Sequence, residues 1–119
     1  MSGQSRAGRA VPGLTVCGSC SGETLGDSDL LSGGQLARIQ AIEIAQDATL
    51  TVVDCLDECE RGDVVAVRPV AAFRSVQGPV WFERLAGEEL SGELHAWVRA
   101  GGPGVADVPG RLAPLVIDR

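Results

Sequence analysis

Two short apolar runs, Leu14-Thr15-Val16 and Thr49-Leu50-Thr51-Val52-Val53, each lead almost directly into a cysteine pair. Runs of this length, rich in β-branched residues, suit buried strands. Residues 35–50, between them, contain no Gly or Pro and are dominated by Ala, Leu, Ile, Gln, Arg and Glu, a composition that favours helix. Leu36, Ile39 and Ile42 form its apolar stripe, with Ile44 off the stripe. A strand–helix–strand crossover within one sheet runs parallel. Both runs therefore point the same way and deliver their cysteines to the same edge.

The rest of the chain reads in the same manner. Residues 1–12 are rich in Gly, Ser and Arg and read as a flexible tail. Residues 18–34 hold five glycines without a regular period and form a loop, and Ser32 or the glycines after it can open the helix. A turn at Arg61-Gly62-Asp63 precedes a third strand at residues 64–67, and a loop with Pro69 and Gly78 precedes a fourth at 79–82. Leu90, Leu94, Trp97 and Val98 then fall at i, i+4, i+7 and i+8, a core-facing helical stripe. Glu88 and Glu89 suit its N-terminus, and Gly101-Gly102-Pro103 ends it. The order is β-α-β-β-β-α, an α/β fold with a four-stranded mixed sheet over residues 13–102, followed by an extended tail at 103–119.

Four cysteines are the chemistry-bearing residues. Cys17-Gly18-Ser19-Cys20 is one pair and Cys55-Leu56-Asp57-Glu58-Cys59 the other. They lie among Gly, Ser, Asp and Glu, whereas buried structural thiols tend to sit singly in apolar runs. The N-terminus lacks the apolar segment of a secretory signal, so the expected compartment is the cytoplasm, which keeps thiols reduced and makes a disulfide framework unsuitable. Neighbouring strands are about 4.8 Å apart. Both pairs thus arrive at the carboxyl edge of the sheet, where open α/β folds place ligands. Four convergent thiolates suit a tetrahedral zinc ion or an iron–sulfur cluster, and spacing alone does not choose between them.

The segment from Asp54-Cys55 through Asp63-Val64-Val65-Ala66-Val67-Arg68 resembles the second half of thioredoxin-like [2Fe–2S] ferredoxins, as do Gly78-Pro79-Val80-Trp81-Phe82 and Ala96-Trp97-Val98-Arg99-Ala100-Gly101-Gly102-Pro103. The resemblance covers about residues 14–104. It implies a thioredoxin-like fold, a [2Fe–2S] cluster on four cysteines and one-electron transfer without substrate chemistry of its own. Cys55 and Cys59 match the family's second ligand pair. The first pair departs from the common pattern: that family usually places ten or more residues between its first two ligands, and Cys17 and Cys20 have two. The arrangement is closer to an actinobacterial-type branch with clustered first cysteines.

A rival reading is a dithiol oxidoreductase using Cys17 and Cys20. In such enzymes the first cysteine opens a helix whose N-terminus lowers its pKa. Ser21-Gly22-Glu23-Thr24-Leu25-Gly26 is poor helix material, and that reading leaves Cys55 and Cys59 without a redox role.

Charge and composition bound the partners. The net charge of -6 argues against nucleic acid, which is held by Lys and Arg on phosphates. No apolar run approaches the roughly 20 residues of a membrane span. Asp54, Asp57, Glu58, Glu60 and Asp63 surround the second pair and could either form a solvated loop or steer a basic redox partner. His95, the single histidine, reads as a solvated surface residue, and Trp81 and Trp97 as core. The oligomeric state is left open by these features.

Overall fold

The computed structural model describes residues 11–17, 34–54 and 62–117. Strand β1 (Gly13–Cys17) lies parallel to β2 (Thr49–Val53), with Leu14 opposite Leu50 and Cys17 opposite Val53. The connection includes helix α1 (Gln35–Ile44). On its other side β1 pairs antiparallel with β3 (Val65–Arg68), which pairs in turn with β4 (Val80–Phe82). Helix α2 (Glu88–Arg99) follows. The chain then returns to add β5 (Val116–Ile117) antiparallel to β4. The sheet order is β2-β1-β3-β4-β5.

The sheet has five strands where the sequence led us to expect four. The extra strand lies within residues 103–119, which we expected to form an extended tail. Two observations explain its docking. Leu112 is fully buried in the main core, so the segment is pinned before it reaches the sheet. β4 would otherwise be an edge with unpaired backbone groups, which β5 satisfies.

Alternation along the strands sorts the side chains into two faces. Leu14 and Val16 of β1, Val65 and Val67 of β3 and Phe82 of β4 share one cluster with Ile39 and Ile42 of α1 and Leu94, Trp97 and Val98 of α2. Both helices among the described residues therefore cover the same face. Phe82 and Trp97 meet edge to face, with ring centroids 5.7 Å apart. The Trp97 indole N–H donates to the Ala106 carbonyl at 2.9 Å, so the core tryptophan carries no unpaired donor. Cys17, Val64 and Ile117 form a second, smaller buried cluster with the half-buried Trp81 against it. Trp81, which like Trp97 we expected in the core, thus packs half-buried against this second cluster and faces away from the one that Trp97 occupies.

Helix α1 ends at Ile44, short of the helix-favouring stretch that continues to Leu50. Gln46 takes φ 68°, and the Gln46 and Asp47 N–H groups bond back to the Glu43 and Ile42 carbonyls. This Schellman closure turns the chain into β2. Ile44, off the apolar stripe, is 78% exposed, whereas Ile39 and Ile42 are buried. A buried amide links the two helices. Gln35 Nε2 donates to the Leu85 carbonyl (2.9 Å) and to Ser91 Oγ (3.0 Å), and its Oε1 accepts the Gly87 N–H (2.9 Å).

Candidate metal centre

Cys17 is the last residue of β1, and the parallel register sets it opposite Val53, the last residue of β2. Parallel pairing is what brings both runs to one edge, as the crossover argument required. By alternation Cys17 points away from the helices, into the cluster of Val64 and Ile117, and it is 1% exposed. Its thiol donates to the Asp54 carbonyl at 3.3 Å. That carbonyl belongs to the peptide unit joining Asp54 to Cys55. The sulfur of the first cysteine therefore lies against the backbone that leads directly into the second pair.

The third strand starts from the same edge, since Val65 pairs with Val16. Gly62 and Asp63 both have positive φ, 73° and 43°, so the chain turns sharply before entering β3. The turn is anchored from the end of β4: the Arg84 N–H donates to the Gly62 carbonyl at 2.8 Å and the Leu85 N–H to the Asp63 carbonyl at 3.3 Å. Cys17, Asp54 and Gly62 thus stand at one edge of the sheet. Of the four cysteines, Cys17 is described. Cys20, Cys55 and Cys59 lie outside the described residues, as do Asp57, Glu58 and Glu60.

At this edge the described residues contribute one soft donor, the Cys17 thiol. Cys17 supplies a sulfur donor held among apolar side chains, where a bound metal would be screened from water. Among the described residues, no group of three or more His, Cys, Asp and Glu side chains gathers into a set that could hold a metal ion.

The acidic segment divides in two. Asp54 is exposed, but Asp63 is 2% exposed and cannot present its charge to a partner surface. The expectation of a wholly solvent-facing acidic loop from Asp54 to Asp63 is corrected at that residue, because the turn that starts β3 draws it inward.

His95 is also not the solvated surface residue that we expected. Its Nε2 lies 2.7 Å from Asp47 Oδ2, and Arg99 Nε lies 3.3 Å from the same oxygen. The His95 hydrogen bond, with Arg99 adding its own bond and charge, holds the Asp47 carboxyl below the usual carboxylate range against the opposing effect of burial. The three residues tie α2 to the turn before β2, from which the chain runs to Asp54.

Sequence reasoning missed the environment of Cys17. The available signal was the alternation of Trp81 with Phe82, which sets one aromatic on each face. Nothing in the sequence pointed to Ile117 joining the cluster of Cys17 and Val64, because a two-residue strand has no period to read. No helix among the described residues is long and apolar enough to cross a membrane. The chain matches no family model, no curated protein and no solved structure.

Proposed function

We propose that this protein is an electron carrier that holds a [2Fe–2S] cluster on Cys17, Cys20, Cys55 and Cys59, in a thioredoxin-like domain working in the cytoplasm. The observation that carries the reading is the hydrogen bond from the Cys17 thiol to the Asp54 carbonyl. It joins the first cysteine to the peptide unit of the third, across two parallel strands that end together. The order β2-β1-β3-β4, with one parallel pair and the described helices α1 and α2 on one face, supports the thioredoxin-like reading. A bound cluster would supply one-electron redox chemistry, and the protein's part is to hold the sulfurs, limit water and present a docking surface. Asp54, Asp57, Glu58 and Glu60 are the charges proposed to meet a basic redox partner.

The dithiol oxidoreductase reading is weakened at Cys17, which belongs to a strand and is buried. An attacking thiol needs access and thiolate character. The deciding experiment is the visible absorption spectrum with metal and sulfide analysis of anaerobically purified protein. Iron with acid-labile sulfide is the expected result. Zinc alone would replace the electron carrier with a zinc protein using the same four thiolates. Protein without metal would reject the cluster reading.

A further inference from the structure

We infer that strand β2 is a pairing edge for a second copy of this chain, the two strands running antiparallel about a two-fold axis at Thr51. The inference goes beyond the cluster reading and does not depend on it. β2 ends the sheet order, and among the described residues it pairs with β1 alone. Open strand edges recruit other strands unless they are short, bulged, charged or interrupted by proline. The opposite edge, β5, is protected by its length of two residues. β2 has five residues in unbroken register with β1 and reads Thr-Leu-Thr-Val-Val, without a charge, proline or glycine.

The ladder fixes which backbone groups point outward. The Thr49 N–H donates to the Pro12 carbonyl at 3.0 Å, on the β1 side. By alternation Thr49, Thr51 and Val53 turn their backbone groups to β1, and Leu50 and Val52 turn theirs to the open side. Val52 lies opposite Val16, a core residue, yet is 47% exposed. Setting Thr51 opposite Thr51 of a second copy places Leu50 opposite Val52 on each side of the axis. Each of those pairs exchanges two N–H···O=C bonds, so every outward group of Leu50 and Val52 is matched. The two Thr51 side chains, exposed in the single copy, meet at the closer-spaced position between them, a favourable cross-strand pair. Asp54 falls opposite Ala48 of the other copy, next to Asp47, whose carboxylate is already met by His95 and Arg99. The register therefore brings no uncompensated pair of acids together, although each chain carries a net charge of -6. One strand from each copy falls short of the roughly 1,200–2,000 Å² of a stable interface, so the dimer is a concentration-dependent one.

The test is sedimentation equilibrium of the reduced full-length chain from micromolar to millimolar concentration. A rise toward the dimer mass is expected, and a parent that stays monomeric throughout overturns the inference. Val52→Pro removes an outward N–H and leaves the β1 ladder intact, and it should weaken association by about tenfold or more. Undiminished association in this variant means that another surface joins the copies, which overturns the inference. Thr51→Lys and Thr51→Glu each set like charges face to face on the axis and should also weaken association by about tenfold or more. An equimolar mixture of the two should restore it, because Lys then faces Glu. A mixture no tighter than either variant alone overturns the two-fold pairing, and this readout decides the matter if Val52→Pro fails to fold.

Discussion

Gln46 occupies at the end of α1 the position that Gly101 occupies at the end of α2. Each has positive φ, 68° and 120°, and each precedes a residue whose N–H returns to the helix: Asp47 to Ile42, Gly102 to Trp97. Two helices of one small domain therefore close by the same Schellman arrangement, one with the residue best suited to it and one without. A side chain at positive φ costs about 1 kcal/mol relative to glycine. Gln46→Gly is expected to raise the urea midpoint by an amount equivalent to about 0.5–1 kcal/mol. Gly101→Ala should lower it by more, because an added Cβ would also collide with Val105. Equal effects of the two substitutions would contradict this account.

Gln35 holds three groups from the approach to α2 and its first turn: the Leu85 carbonyl, the Gly87 N–H and Ser91 Oγ. Gln35→Leu keeps the volume and removes every partner. Stranding buried backbone groups costs about 1–3 kcal/mol apiece. The variant should lose about 2–4 kcal/mol in chemical denaturation with an unchanged slope. A loss below about 0.5 kcal/mol would show that water replaces the amide.

The Asp47 cluster predicts an acid-side stability change with a definite sign. Because the folded carboxyl is held below its ordinary value, its contribution is present above the unfolded value, about 3.9, and is lost as pH falls through the folded one. Asp47→Asn should therefore be less stable than the parent at neutral pH, by about 1 kcal/mol, and the gap should close below about pH 4. Urea midpoints measured from about pH 7 to about pH 2.5 test this. A gap that is constant with pH would mean that shape, and not charge, is what Asn fails to supply.

Single replacement of each cysteine by serine tests the cluster reading at its ligands. Each of Cys17→Ser, Cys20→Ser, Cys55→Ser and Cys59→Ser is expected to lower bound iron by about tenfold or more and bleach the visible absorption, since a hard hydroxyl is a poor substitute for a thiolate. Full iron content in two or more of them would mean that the four sulfurs do not share one centre.

Charge reversal in the acidic segment tests docking. A variant with Asp54, Asp57, Glu58 and Glu60 changed to Lys should associate more slowly with a basic reductase, and the loss should shrink as salt screens the charges. The same change should raise the potential, because negative charge near a cluster disfavours its reduced form. Asp63→Asn, at a buried position, should leave the association rate and its salt dependence unchanged. An association rate indifferent to the four reversals would remove the docking proposal.

Much of this fold was legible because its signals are local. The stripe of Leu90, Leu94, Trp97 and Val98 marks α2, and Leu94, Trp97 and Val98 are buried there. β-branched runs mark β1 and β2, and the crossover rule makes them parallel, as observed. The helix-forming stretch through Leu50 misled because composition alone does not reveal Gln46 turning left-handed. His95 misled for a related reason. Its partner Asp47 is 48 residues away in the chain, so no window of sequence contains both.

The sequence by itself determined four of the five strands and the places of helices α1 and α2, that two strands run parallel into cysteines, and that thiols are the chemistry on offer. These follow from periodicity, residue propensity and chain connectivity, which act over a few residues or through a single topological rule. Only the tertiary structure decided that Cys17 faces away from the helices, that Val64 and Ile117 share its cluster with Trp81 packed against that cluster, that Asp63 turns inward and that a fifth strand completes the sheet. Each of those depends on which distant side chain fills a particular space. Burial of Leu112, far beyond the last strand that we expected, is what brings Ile117 to the sheet.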